Sequence, residues 1–247
     1  MVMMDDHDNE ETLHADLIKH NQHHFDKESK NWDDPEYVKV AQESYTTLQK
    51  HISKFITLDT RVLNFGCGNG LLESQLRHDV KECVGIDISQ GMVERMQSKI
   101  DKEQWENVRV IEMDILSEDN TEASSQQLQC EGLFDMIVSL YTFHHLKDIS
   151  AIGKALMKHL RPGGIFCIID FASVDQDKSE EFHSHLSEEA KASIGTHDGF
   201  AKVFLIDFYQ CQLGLRNVEV HSACPLKCGS ADDEEEYPTV IAYGQKC

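Results

Sequence analysis

Between Arg61 and Phe171, short apolar runs alternate with stretches of helical periodicity, and that alternation leaves very few folds open. The runs are Arg61–Phe65, Glu82–Asp87, Val108–Met113, Phe134–Leu140 and Ile165–Phe171. They are short and nearly continuous in apolar character, as strands buried on both faces must be. Helical spacing fills the gaps near Leu71–Arg77, Gly91–Ile100, Glu122–Gln129 and Ile149–Leu160. The last of these carries Ile149, Ile152, Leu156 and Leu160 on one stripe. Two more strands, Val218–Ala223 and Thr239–Gly244, have no helix between them and are expected to pair as an antiparallel hairpin at the sheet edge. The fold class this predicts is α/β: a doubly wound, mostly parallel seven-stranded sheet with an antiparallel C-terminal hairpin and helices on both faces.

The flanks divide the chain further. Its 247 residues suit one α/β domain plus a modest extension. Residues 1–15 are acidic and polar and are expected to form a disordered tail. Residues 16–58 form an N-terminal helical segment containing Phe25, Trp32 and Tyr37. Within it, Asp34 followed by Pro35 marks a helix start, and Val38, Ala41, Tyr45, Leu48 and Ile52 form one apolar face. The main domain is then 59–247, with a helical insertion over 172–215. That insertion is polar and His-rich to about Ala192, after which Phe200, Phe204, Phe208 and Cys211 share a helix face.

Charge and cysteine usage narrow the partners. The net charge of −21 repels a phosphate backbone and no Lys/Arg cluster offsets it, so nucleic-acid partners are disfavoured. The acid runs Asp5–Glu11 and Asp232–Glu236 are expected to be solvated. No apolar run approaches the length of a membrane span, and the acidic start does not read as a signal peptide. The eight cysteines are scattered, as free thiols in a reducing, cytoplasmic compartment would be. Neither Cys224 with Cys228 nor His183 with His185 has a second pair at zinc spacing, so no metal is expected.

The chemistry concentrates at strand ends. Arg61–Phe65 runs straight into Gly66-Cys67-Gly68-Asn69-Gly70, and a helix follows. Glycines at a strand-to-helix turn let a ligand approach the backbone, and free N–H groups at the helix start suit an anion. A dinucleotide loop reads G-x-G-x-x-G, but Leu71 stands where its third glycine belongs, which argues against nicotinamide or flavin. The Lys-Ser/Thr ending of a P-loop is also lacking. Asp87 ends the next strand, where a carboxylate can accept from ribose hydroxyls, and Asp114 follows the third strand, where it can face an adenine amine. Each alone would pass for a turn residue; together they describe a nucleoside site.

With these residues in place, the chain resembles class I S-adenosylmethionine-dependent methyltransferases, which have a Rossmann-like fold. Val62–Gly70 is similar to their first motif, and Gly85–Ser89, Met113–Ile115 and Phe134–Ser139 to later ones. Phe143-His144-His145-Leu146, followed by Leu160-Arg161-Pro162-Gly163-Gly164, resembles the small-molecule subgroup that includes quinone-biosynthesis methyltransferases. The resemblance implies S-adenosylmethionine as cofactor and S-adenosylhomocysteine as product. It implies that Gly66, Cys67 and Gly68 line the methionine end, that Asp87 holds the ribose diol, and that Ile88, Met92, Asp114 and Ile115 surround adenine. Ser139 and Leu140 flank the sulfonium region, and His145 is a further cofactor-binding candidate. Where Asn64 stands the family usually has an acid; the amide keeps an acceptor and loses the charge.

The sulfonium methyl is already activated, so the protein mainly supplies orientation and a dry pocket. A base is needed only if the acceptor must lose a proton; His144 is the candidate, with Tyr141 to orient the acceptor. His145 more readily reads as a structural hydrogen bond, and Phe25, Trp32 and Tyr37 are candidates for a lid. The turn after the fourth strand, Ser139-Leu140-Tyr141-Thr142, lacks the Asn/Asp-Pro-Pro-Tyr sequence of many nucleobase and glutamine methyltransferases. The expected function is methyl transfer to a small-molecule O, N or C acceptor. The alternatives are a protein methyltransferase acting on a basic substrate and a non-catalytic, cofactor-binding partner subunit. Oligomeric state has no signature in the sequence.

Overall fold

Successive strand residues face opposite sides of a sheet, and β1 (Arg61–Phe65) feeds two separate cores in this way. Leu63 packs with Val84, Ile86 and Ile137 under Ile152, Leu156, Leu205 and Phe208. Val62 packs on the opposite face with Cys83, Met136 and Val138, under Leu48, Ile52, Leu72, Leu76, Met96 and Ile100. The structure, a computed structural model, describes residues 6–117, 128, 132–176, 179, 186–195, 199–228 and 235–247, with side chains from Asp16 onward.

The strands are β1, β2 (Glu82–Asp87), β3 (Val108–Glu112), β4 (Phe134–Leu140), β5 (Leu160–Phe171), β6 (Arg216–Ser222), β7 (Leu226–Cys228), β8 (Glu235–Tyr237) and β9 (Thr239–Gln245). The described helices are α1 (Asp6–Glu28), α2 (Pro35–Ile52), α3 (Leu71–Leu76), α4 (Gln90–Glu103), α5 (Ile149–Met157), α6 (Glu188–Ser193) and α7 (Lys202–Asp207). The main sheet has seven strands in the order β3-β2-β1-β4-β5-β9-β6. β1 to β5 pair in parallel, and β9 runs antiparallel to both β5 and β6. The doubly wound sheet and its antiparallel C-terminal pair are as the strand spacing indicates. Strand order reverses between β1 and β4, and at such a switch point the strand ends open a crevice. No helix among the described residues is long and apolar enough to cross a membrane.

Four expectations need correction. Helix α1 begins at Asp6, so most of the acidic stretch 1–15 is helical and not a disordered tail. Acids in a first turn favour a helix through its dipole, and Leu and Ala extend it. Leu160 opens β5 and does not close the preceding helix, which ends at Met157. Cys211 is exposed, because Phe208–Gln212 forms a π turn that rotates the helix face. Tyr209 is buried in its place, and its hydroxyl donates to the Ala242 carbonyl at 3.0 Å. The stretch between β6 and β9 also contains a small β7–β8 ladder. The expected helix Glu122–Gln129, apart from Leu128, and His183 and His185 lie outside the described residues.

Candidate functional site

The glycine loop is the turn from β1 to α3. Gly66 has φ +71°, and a Cβ there would run into the Thr142 side chain, so the position needs glycine twice over. The Gly66 and Cys67 N–H groups both donate to the Ile86 carbonyl, at 2.9 and 3.2 Å, which ties the loop to β2. Asp87 at the tip of β2 accepts from Gly68 N at 2.8 Å and from Ser89 N at 2.9 Å, one bond per carboxylate oxygen. Burial pushes its carboxyl above the usual range, and Asp26 adds to this, against the backbone donors. A carboxylate has about four acceptor sites, and the backbone donors do not fill them all. Asp114 after β3 accepts from Leu116 N at 3.0 Å, and Met113 N donates to the Asp87 carbonyl at 2.9 Å. Ile88 and Ile115 are half-buried beside these acids. Met92 is buried in the first turn of α4, and its N–H is capped by Ser89 Oγ at 3.1 Å.

The β4 side is built differently. The Ser139 hydroxyl donates to the Phe65 carbonyl at 2.8 Å, so it latches β4 to β1. Leu140 packs into the core on the α2–α4 face. Tyr141 has φ +48° and packs 5.7 Å from the Phe171 ring. Burial pushes its hydroxyl to about 12, so it stays a neutral donor near physiological pH. The two neighbouring histidines have separate partners. His144 Nδ1 lies 2.7 Å from Asp170 Oδ1, while His144 N donates to Oδ2 at 3.2 Å. His145 Nδ1 lies 2.8 Å from the Ser193 carbonyl. Carboxylate and carbonyl oxygens only accept, so each Nδ1 carries the proton of that bond and each Nε2 is left outside it. Burial, together with His144, holds His145 well below the usual histidine range. Asp170, at the end of β5 and fully buried, had no motif to announce it.

The N-terminal segment lies across this crevice. Phe25 meets His145 edge-on at 5.0 Å and Trp32 at 5.8 Å; Trp32 stacks on Tyr37 at 4.5 Å. Trp32 Nε1 is 3.6 Å from where a Gly68 Cβ would stand. Two acids fasten the segment. Asp26 accepts from Ser89 Oγ at 2.6 Å and Gly91 N at 2.9 Å. Asp33 accepts from Asn69 Nδ2 at 2.8 Å and pairs with Lys99 and Arg95 at 2.5 and 2.9 Å. Asn21 adds a bond to the His145 carbonyl at 3.2 Å. α2, by contrast, places Leu48 and Ile52 in the core and is a layer of the fold.

Beneath the loop, Asn64 Nδ2 donates to Glu73 Oε1 at 2.8 Å, and both residues are buried. Burial lifts the Glu73 carboxyl from 4.5 to about 7, which the Asn64 bond only partly offsets. The folded state therefore holds that proton more tightly than the unfolded chain. Stability falls as pH rises from about 4.5 to about 7, by roughly 3 kcal/mol. Glu73 was legible only as an acid on the apolar Leu72–Leu76 face of α3.

Residues 56–237 match the family model of a methyltransferase domain. An uncharacterized methyltransferase of Schizosaccharomyces pombe is 30% identical over 64% of this chain and 54% of its own. A malonyl-[acyl-carrier protein] O-methyltransferase of Priestia megaterium is 24% identical over 89% of this chain and 76% of its own. The chain spans about half the length of two such curated relatives, 54% of one and 47% of the other. The crystal structure of a SAM-dependent methyltransferase from Anabaena variabilis superposes with a TM-score of 0.70 at 16% identity, covering 94% of this chain and 95% of that one.

Proposed function

The chain belongs to the methyltransferase domain family, and on that premise we propose that it moves a methyl group from S-adenosylmethionine to a hydroxyl of a small molecule. The observation that carries the hydroxyl is the His144–Asp170 pair, 2.7 Å apart and buried at the crevice. A base so placed is of use when the nucleophile must lose a proton as it attacks.

The residues fit the cofactor. Gly66 leaves no room for a side chain of its own, and Gly68 brings bare backbone to the crevice. Asp87 retains acceptor sites for a ribose diol, and Asp114 with Ile88, Met92 and Ile115 forms the adenine side. Bound S-adenosylmethionine supplies a methyl on a sulfonium, so the C–S bond breaks as the O–C bond forms and S-adenosylhomocysteine is left. His144 Nε2 takes the acceptor's proton, and the Asp170 carboxylate stabilises the resulting imidazolium. His145, neutral and tied to Ser193, packs beside His144 with ring centroids 3.8 Å apart. Half-buried Tyr141, a neutral donor packed between Phe171 and α2, is placed to orient the acceptor. Buried free thiols at Cys67, Cys83 and Cys167 favour a reducing, cytoplasmic setting.

Phe25, Trp32 and Tyr37 act as a lid that excludes water. Trp32→Ala is expected to weaken S-adenosylmethionine binding by several-fold to about tenfold, through faster release; unchanged affinity and release would remove the lid. The function itself is tested with methyl-labelled S-adenosylmethionine and a fractionated cell extract. Label is expected in a small-molecule ether; label in a methyl ester would mark a carboxylate acceptor and overturn the hydroxyl. Label confined to protein would overturn the small-molecule acceptor, and label on carbon or nitrogen would overturn the hydroxyl.

A further inference from the structure

Two side-chain oxygens under the glycine loop have no hydrogen-bond partner among the described residues: Asn64 Oδ1 and Glu73 Oε2, both fully shielded from solvent. Buried acceptors left unpaired are costly, and a ligand that pairs them recovers that cost. The pair has a built-in direction. The Asn64 amide turns its NH2 toward Glu73 Oε1, so a proton held by Glu73 sits on Oε2. The Asn64 carbonyl is thereby left as the free acceptor, one residue from the end of β1. The space is made by Gly85 on β2, where a Cβ would stand 2.7 Å from Cys67 Sγ and 3.3 Å from Glu73 Oε1.

Among the described residues, no cation pairs with this carboxyl, and only Lys99 acts on it from longer range. The groups facing it are Asn64 on β1, Cys67 in the loop, Cys83 and Asp87 on β2, and, at longer range, Lys99 on α4. Asp87 only raises its proton affinity, and burial raises the two thiols so that they stay neutral. Lys99 is engaged by Asp33 and by the Asn69 carbonyl. An acid with a proton affinity near neutrality and no cationic partner is set to ionise when a cation arrives.

We propose that Glu73 is a positioning residue for the cationic amino-acid end of the cofactor: it orients and polarises Asn64, and supplies the negative charge that Asn64 itself lacks. This rests on the cofactor named above. Binding of the cation then expels the Glu73 proton to solvent, and cofactor affinity rises with pH between about 6 and 8.

The test is calorimetric titration of S-adenosylhomocysteine and of 5′-methylthioadenosine, the same nucleoside thioether without the amino-acid end. Wild type and Glu73→Gln are compared at pH 6.5 in two buffers of different ionisation enthalpy. Wild type should release a fraction of a proton on binding S-adenosylhomocysteine and none on binding 5′-methylthioadenosine. Glu73→Gln should abolish the release and weaken S-adenosylhomocysteine by about ten- to a hundredfold, with 5′-methylthioadenosine affinity unchanged. The double variant Asn64→Asp, Glu73→Gln, which moves the charge by one contact, should recover most of the loss. Equal weakening of both ligands, or proton release that survives Glu73→Gln, would overturn the assignment. Wild type that binds neither ligand would overturn the cofactor reading instead.

Discussion

His144→Ala lowers turnover by about 10²- to 10⁴-fold while cofactor affinity stays within about twofold. The size follows from what the imidazole does. Its Nδ1 proton is held by Asp170 at 2.7 Å, so Nε2 stands in fixed orientation. Asp170 is itself locked, accepting Phe171 N at 2.8 Å as well as His144 N at 3.2 Å. Removing the ring leaves the activated methyl and the oriented acceptor but nothing to take the proton. Asp170→Asn should lose a similar factor, because an amide can donate to Nδ1 and favour the wrong tautomer. The loss should shrink as pH rises and the acceptor ionises by itself. Full turnover in His144→Ala would show that the acceptor needs no base, as for a carboxylate, and would remove the hydroxyl from the proposal.

Asp87→Ala weakens S-adenosylmethionine binding by at least about a hundredfold. Two losses combine. The ribose hydroxyls lose a charged acceptor, and hydrogen bonds to charged groups contribute about 1.5–3 kcal/mol each. The Gly68 and Ser89 N–H groups also lose their partner, which frees the glycine loop and the N-terminus of α4. Asp87→Asn separates the two, since its carbonyl still serves one N–H while its NH2 opposes the other. Its affinity should fall between the other two. Equal affinity in wild type and Asp87→Ala, measured by calorimetry, would place the nucleoside elsewhere.

How far the site was legible varied with the range of the interactions. β1, β2 and β4 begin and end where their apolar runs do, because a strand buried on both faces has little freedom in composition. Asp87 and Asp114 were legible for the same reason: they end runs whose direction the sheet fixes. Asp26 and Asp33 were not, since their partners lie far along the chain: Ser89 and Gly91 for Asp26, 63 and 65 residues on, and Asn69 and Arg95 for Asp33, 36 and 62 residues on. His144 and His145 are neighbours in sequence and distinct only in space, where one meets an acid 26 residues on and the other a carbonyl 48 residues on. The π turn that exchanges Cys211 for Tyr209 breaks the 3.6 period from which the face was read. Asn64 shifts in meaning most: as a letter it is a missing acid, while in space it rests on one, Glu73, at 2.8 Å.

The most direct measurement is calorimetric titration of the wild-type chain with S-adenosylmethionine and, separately, with NAD. Saturable one-to-one binding of S-adenosylmethionine and no heat from NAD is the predicted result. No binding of S-adenosylmethionine, or NAD binding that Asp87→Ala abolishes, would contradict it.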